Sequence, residues 1–518
     1  MARRALAISN KTGIGTAALV VVLILGALLA VISRAEVGGG LVRSDWVAIR
    51  FTVWQAFLSS LFSVVLAIPV ARALARRQFA GRAVLVTLLG APFILPVIVA
   101  VLGLLSVFGR NGWLNVVLDA LGLPSVSIYG LHGVVLAHVF FNLPLATRLL
   151  LQGWQSIPAE RFRLAAQLRL TPWALFRTLE WPLIRQLVPG VAALIFVICL
   201  TSFAVALTLG GGPKATTVEL AIYQAFRFDF DLGKAALLSI TQLGMAGGAA
   251  VLALWLIPVI SLGGGQDRPV QRWDALGGKQ RLLDGVVISL AAAFLLLPLL
   301  AVVLRGIAGL LLVPAAVWQA AGASFLVAII SVMVLCTLAL PMAGWIASKR
   351  SGGVEAIGLL GLSASPLMVG TGWFILINPV MNPADLALSV TALVNALMAL
   401  PFCLRIMVPR LRDTAQDFGR LSQSLGLQGW PLWRWVILPR LAPQIGFAAG
   451  LTGALSMGDL GVITLFADAD RATLPLQMYR LMGAYQMEAA AGAALILLVM
   501  ALGLFWVCDA VGRWYAET

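Results

Sequence analysis

The chain has 518 residues, of which 61% are hydrophobic and only 11% are charged, and its net charge is +15. Soluble domains are about 45–50% apolar and about 25% charged, so this composition excludes an ordinary soluble enzyme, a disordered protein and a coiled coil. The basic excess fits loops that orient helices in a lipid bilayer, and we expect no nucleic acid partner.

Twelve apolar runs are long enough to cross a bilayer as helices, each of which needs about 20 residues. In the first half the runs cover about 16–33, 51–71, 83–109, 131–151, 187–209 and 235–262. In the second half they cover about 283–304, 321–347, 354–378, 387–408, 443–466 and 488–509. Uniformly apolar runs do not alternate as barrel strands do. The sequence therefore predicts an all-α polytopic membrane protein with 12 transmembrane helices.

The basic residues predict how these helices are oriented. With the N-terminus in the cytoplasm, 26 of the 36 Lys and Arg lie in or beside cytoplasmic segments, and 10 lie on the other side. Short cytoplasmic loops carry such an excess. We therefore expect both termini to be cytoplasmic.

The two halves resemble each other. FNLPLATRLL at 141–150 aligns with MALPFCLRIM at 398–407, an offset of 257 residues. Six spans precede the second unit, so the repeats are expected to be parallel. The predicted domains are a first six-helix repeat at 1–262, a cytoplasmic linker at 263–282 and a second six-helix repeat at 283–518.

Two long cytoplasmic loops, 152–186 and 409–442, each contain a short amphipathic stretch that ends before a proline. Leucines four residues apart share one helix face. These pairs are Leu164 with Leu168, and Leu421 with Leu425. Such a face packs either on the chain's own membrane domain or in the groove of a cytoplasmic partner.

The ends of these two short helices differ. Gly426 follows the second helix and adopts a left-handed cap easily. Arg169 stands at the equivalent place, where a non-glycine residue costs roughly 1–2 kcal/mol in that conformation. We therefore expect the first helix to continue past Arg169 toward Pro172, or to end in a different cap, and the two docking helices to be unequal.

Few polar residues lie inside the predicted spans. Asp459 is in the eleventh span, and Ser202 is its counterpart in the first half. An intramembrane carboxylate either lines a path for a cation or satisfies hydrogen bonds between helices. We expect His138 to form a hydrogen bond with Asn395, its own counterpart. The sequence contains no catalytic constellation, metal-ligand pattern or phosphate-binding loop, so we expect no cofactor in this chain.

The two cytoplasmic loops resemble the signature of permease subunits of binding-protein-dependent ABC importers. That signature is Glu-Ala-Ala, then Gly three residues later, then Leu-Pro thirteen residues after the Gly. The departures are Arg163 and Arg169 in the first loop and Arg420 in the second. The resemblance implies the following ATPase-coupling residues: Arg163, Leu164, Ala165, Leu168, Arg169, Pro182, Arg420, Leu421, Leu425, Gly426 and Pro439.

A closer resemblance covers nearly the whole chain. HGVVLAHVFFNLPLATRLLLQ at 132–152 and LTLGGGPKATTVELAIYQAF at 207–226 are similar to the fused inner-membrane permeases of bacterial importers of thiamine and thiamine pyrophosphate. This resemblance implies two copies of an ATP-binding subunit, which supply ATP hydrolysis, and a periplasmic thiamine-binding protein. The alternatives are a fused ferric-iron permease and an ion-coupled secondary transporter.

Overall fold

The computed structural model describes residues 10–35, 40–90, 94–212, 215–256, 277–348, 365–467 and 471–517, and within these ranges it contains helices and no strands. The helices of the first half are α1 Asn10–Arg34, α2 Arg43–Arg76, α3 Arg82–Leu88, α4 Val97–Phe108, α5 Trp113–Ala120, α6 Leu131–Gln155, α7 Ala159–Gln167, α8 Pro172–Leu175, α9 Trp181–Leu200, α10 Ala204–Leu209, α11 Val218–Arg227 and α12 Leu232–Leu256. Those of the second half are α13 Gly278–Gly309, α14 Ala315–Ser348, α15 Pro366–Ile377, α16 Ala387–Ser424, α17 Trp430–Leu432, α18 Leu438–Met457, α19 Gly461–Phe466, α20 Leu474–Gly483 and α21 Met487–Glu517.

Eleven helical segments of the described chain are long and apolar enough to cross a membrane. The shorter apolar helix α15 lies at the ninth predicted span, and residues 354–364 of that span lie outside the described residues. An all-α polytopic membrane protein is thus confirmed, and the count of twelve spans stays a prediction.

The same elements recur in the two halves. Adding 257 to the bounds of α9 and α10 gives the bounds of α18 and α19. A π-helical turn precedes α9 at Phe176–Glu180, and another precedes α18 at Trp433–Ile437. Most of the predicted linker 263–282 lies outside the described residues, so the division into two domains stays a prediction.

The first helix of each half packs against the other half. Helix α1 contacts α14 and α15, while α13 contacts α2 and α4. Glycines permit the close approach, because a Cβ on Gly103 of α4 would lie 2.6 Å from the carbonyl oxygen of Pro298 in α13. A Cβ on Gly372 of α15 would meet the backbone of Ala27 in α1. The two sequence repeats are therefore interlocked in space.

Three predicted spans were wrong as single helices. The span 83–109 contains two helices, because Pro96 lacks an amide hydrogen and stands at the N-cap of α4. The span 187–209 is interrupted at 201–203, and the span 443–466 is interrupted at 458–460. The last two interruptions are equivalent in the two halves, and they position the candidate site.

Candidate functional site

Asp459 and Ser202 lie in the equivalent helix breaks. The backbone amide of Gly461 donates a hydrogen bond of 3.1 Å to Oδ1 of Asp459. A side chain that accepts from a nearby backbone amide competes with the helical ladder. This bond accompanies the break that turns the Asp459 carboxyl inward instead of continuing α18 into α19.

A cavity of about 340 Å³ opens between these two breaks. Ser202 and Asp459 line it from opposite halves, and so do Val97 and Pro366, which begin α4 and α15. Most of the lining residues are apolar, including Phe141 and Phe203, and a few polar groups are interspersed. A largely apolar pocket with a few placed polar groups is typical of a small-molecule site.

His138 lines this cavity, but the expected hydrogen bond to Asn395 was wrong. Nδ1 of His138 lies 3.2 Å from Oγ of Ser59 in α2. Nδ2 of Asn395 instead donates to Oγ of Ser456 at 3.1 Å. Each of the two equivalent side chains therefore bonds within its own half.

Asn395 lies beside the Asp459 carboxyl but is not among the cavity-lining residues. Among the described residues, Oδ2 of Asp459 is buried and has no hydrogen-bond partner. An unpartnered buried acceptor costs about 1–3 kcal/mol. Helix packing therefore leaves one oxygen of this carboxyl without a hydrogen bond. This favours the interpretation that Asp459 lines a ligand path over a purely structural role.

The cavity is also lined by polar residues that were not predicted from the sequence. Asn142 of α6 donates from Nδ2 to the carbonyl of His138 at 2.8 Å. Glu219 of α11 is fully buried and also lines the cavity. Glu219 was not predicted because its segment, TVELAIYQ, lies between two predicted spans; a carboxylate among apolar residues was the available signal.

No group of three or more His, Cys, Asp or Glu suited to hold a metal ion occurs among the described residues. The cavity carboxyls Glu219 and Asp459 come from opposite halves of the chain, and neither forms an ion pair with another described residue. The arrangement suits a small ligand with a cationic or hydrogen-bond-donating group.

The first docking helix, α7, has two different faces. Ala165 packs with Phe162 and Leu175 in a small buried cluster. Leu164 and Leu168 on the other face are 55% and 62% exposed. Ala165 thus fixes the helix on its own chain, and the two leucines remain exposed.

The second docking segment is not a separate helix, which corrects the prediction. Helix α16 runs without a break from Ala387 through Pro401 and Pro409 to Ser424. Pro158 precedes α7, whereas Ala415 stands at the equivalent position and permits the helix to continue. Leu421 and Leu425 are 54% and 63% exposed, nearly the same as their counterparts.

The remaining predicted coupling residues occupy matching places. Pro182 and Pro439 stand in the first turns of α9 and α18, where a missing amide hydrogen costs no helical bond. The exposed coupling residues are Arg163, Arg169, Arg420 and Gly426.

The expectation that α7 continues past Arg169, or ends in a cap different from that of the second helix, was wrong. Arg169 adopts φ +50° and Gly426 adopts φ +64°. The amide of Leu170 donates to the carbonyl of Ala165 at 3.1 Å, and that of Leu427 donates to Ser422 at 2.9 Å. Both helices therefore end in the same Schellman motif. The two hydrogen bonds of the cap accompany the strained conformation of Arg169.

Comparison with known proteins gives full-length matches. The chain is 41% identical over 521 residues to the thiamine transport system permease protein ThiP of Escherichia coli K12, covering 96% of this chain and 95% of that protein. It is 34% identical over 475 residues to ThiP of Haemophilus influenzae, covering 88% and 87%. The chain belongs to the family of thiamine transport system permease proteins.

A more distant relative matches only one part of this chain. The molybdenum transport system permease protein ModB of Azotobacter vinelandii is 30% identical over 181 residues, which cover 35% of this chain and 80% of ModB. A match of nearly a whole ModB to about a third of this chain agrees with its internal repetition. No family model matches the chain.

Proposed function

We propose that this chain is the transmembrane permease of an ATP-driven ABC importer that carries thiamine and its phosphates across the bacterial inner membrane. The observation that carries the proposal is the similarity to ThiP proteins over nearly the full length. It favours this function over a ferric-iron permease and over an ion-coupled secondary transporter. The chain itself forms the translocation path and is not an enzyme.

The cavity between the helix breaks supports the choice of substrate. Thiamine carries a fixed positive charge on its thiazolium ring. Oδ2 of Asp459 is an acceptor without a hydrogen bond among the described residues, and it belongs to a cavity walled by apolar and aromatic side chains. A carboxylate and aromatic faces both attract an organic cation. Ser202, His138 and Asn395 complete the proposed path, the first two in the wall and Asn395 beside the carboxyl.

The exposed leucine pairs support two docking sites for an ATP-binding subunit. Their exposures differ by at most one percentage point between equivalent positions, although one pair lies on a separate helix and the other on the end of α16. Two equal sites imply two copies of the ATPase, on the cytoplasmic side with both termini and the linker 263–282. A periplasmic thiamine-binding protein delivers substrate to the opposite face.

Reconstitution tests the proposal. The chain is purified with its ATP-binding subunit, placed in liposomes and supplied with the thiamine-binding protein and labelled thiamine. We expect uptake that requires both ATP and the binding protein. Uptake driven by an ion gradient without ATP, or ATP-dependent uptake of ferric iron in place of thiamine, would contradict it.

A further inference from the structure

The cavity contains a second carboxyl group that the proposed path does not use. Glu219 lies on α11 of the first half and is 0% exposed. Oγ of Ser365, the N-cap of α15 in the second half, donates a hydrogen bond of 2.9 Å to its Oε2. The carboxyl is thus fixed at a contact between the halves and forms part of the cavity wall.

Oε1 of Glu219 has no hydrogen-bond partner among the described residues. Gln242 lies beside the same carboxyl; one N–H of its Nε2 donates to the carbonyl of Leu200 at 2.9 Å, and the other does not reach Oε1 of Glu219 in hydrogen-bond geometry. Buried polar groups are almost always hydrogen-bonded, and an exception calls for an explanation. A donor on a ligand in the adjoining cavity would supply the missing bond.

The position of Glu219 is not explained by the repeat. Helices α11 and α20 begin 256 residues apart, so Pro475 stands at the equivalent place in the second half, and both Glu219 and Pro475 lie in the first turns of their helices. Two equivalent helices therefore differ in whether they present a carboxyl. A structural need common to both halves does not account for Glu219, whereas an asymmetric ligand does.

The two cavity carboxyls are suited to different groups. Asp459 is partly exposed, and its Oδ1 accepts a hydrogen bond from the backbone amide of Gly461. Glu219 is fully buried and fixed by one hydroxyl donor. A fixed cation is best met by the more accessible carboxylate, while a neutral N–H donor matches a buried, oriented acceptor oxygen.

We infer that Glu219 is a specificity-determining residue whose Oε1 accepts a hydrogen bond from the exocyclic amino group of the substrate's aminopyrimidine ring, while Asp459 faces the thiazolium. The inference rests on the proposed function. The ligand class is a cation with an amino-substituted aromatic ring, held between the two halves. Ser365 is a positioning residue that orients the carboxyl.

An analogue with a changed ring substituent separates this role from general damage. Oxythiamine carries a carbonyl oxygen in place of the amino group and keeps the thiazolium. An acceptor on the ligand then faces an acceptor on Glu219. In Glu219→Gln the amide oxygen still accepts from Ser365, and the amide NH₂ faces the cavity as a donor. The Glu219→Gln variant should therefore shift its preference from thiamine toward oxythiamine.

The measurement is the ratio of thiamine to oxythiamine uptake in liposomes that hold the permease, its ATPase and an unchanged binding protein. Relative to the unmodified protein, Glu219→Gln should lower this ratio by about tenfold, because one buried hydrogen bond would be left unmatched. Asp459→Asn should lower the uptake of both cations and leave the ratio unchanged. Glu488→Gln, which changes an exposed glutamate, should alter neither quantity.

An unchanged ratio in an assembled Glu219→Gln complex would overturn the inference and leave the proposed function standing. If Glu219→Gln does not assemble with the ATPase, Ser365→Ala is the second variant, and its ratio should fall in the same direction by about threefold. A Ser365→Ala ratio equal to that of the unmodified protein would also overturn the inference. Failure of the unmodified complex to carry thiamine would instead contradict the proposed function.

Discussion

Arg169 and Gly426 adopt the same left-handed backbone conformation at the ends of the two docking helices, with φ values of +50° and +64°. The left-handed region costs a non-glycine residue roughly 1–2 kcal/mol. The first half thus adopts with an arginine, at a conformational cost, the cap that the second half forms with a glycine.

The two cap positions should respond unequally to exchange of their residues. Gly426→Arg should destabilise its helix end by about 1–2 kcal/mol, and Arg169→Gly should leave its helix end as stable or slightly more so. A Cβ at Gly426 would meet no atom within 4 Å, so the cost is conformational and not a clash. Retention of the ATPase at matched expression measures the difference, and equal losses in both variants would contradict it.

The exposed leucines should matter for docking and not for folding. Leu168→Asp and Leu425→Asp should each reduce ATPase retention at least about tenfold, because burial of a leucine contributes about 1.5–3 kcal/mol. The melting temperature of the permease alone should stay unchanged in both. Ala165→Asp is the contrast, since Ala165 is 3% exposed and a charge there should destabilise the permease itself. ATPase binding that survives both leucine variants would refute the docking sites.

Asp459→Asn tests the cation path. The substitution keeps the size and an acceptor oxygen but removes the charge. At an effective dielectric constant of about 20, a charge pair about 4 Å apart is worth about 4 kcal/mol before desolvation. We expect thiamine uptake to fall at least about tenfold. Asp119→Asn, at an exposed aspartate of α5, is the control. Normal uptake by well-expressed Asp459→Asn would return this residue to a structural role.

Glu180 should be essential for the stability of the first half. Its Oε2 accepts from Nε of Arg72 at 2.7 Å and lies 3.9 Å from Nη2 of Arg76, and the glutamate is fully buried. Removal of one partner from a buried ion pair costs about 3–5 kcal/mol. Glu180→Ala should therefore lower the melting temperature of the purified permease, whereas Glu160→Ala, at a less buried glutamate, should not. Equal melting temperatures would contradict the role assigned to the pair.

The charge distribution predicts the orientation of the chain. In a background without the four native cysteines, Lys279→Cys should be protected from a membrane-impermeant maleimide added to spheroplasts, and Glu488→Cys should react. Both positions are exposed, so access depends on the side of the membrane. Labelling of Lys279→Cys from outside intact cells would reverse the topology and break the parallel repeat.

Residue patterns in the sequence predict the fold class and the repeat, but they do not predict where the helices end. Pro158 and Ala415 occupy equivalent positions; Pro158 is the N-cap of α7, whereas α16 continues through Ala415. Apolar runs around Ser202 and Asp459 look continuous, because hydropathy does not register the bond from Gly461 to Asp459 that accompanies the break. The cap at Arg169 forms with two local hydrogen bonds despite a conformational preference of roughly 1–2 kcal/mol against it.

Asp459 was recognisable as a candidate because an isolated carboxylate inside a span is unusual. Glu219 was not, because its segment lies between predicted spans, and only the fold brings α11 against the start of α15. Pairings between distant segments, such as Gln55 of α2 with the carbonyl of Cys199 at 2.9 Å, have no signature in one sequence.

The exchange of first helices between the halves sets an order of assembly during synthesis. Helix α1 packs against α14 and α15, which begin about 280 residues or more after α1 ends. At a synthesis rate of about 5–20 residues per second, roughly 15–60 seconds pass between the synthesis of α1 and the synthesis of its partner helices. The first half is therefore incomplete as a folding unit while it is being synthesised. The surfaces of α2 and α4 that α13 covers stay uncovered until synthesis has passed the midpoint of the chain.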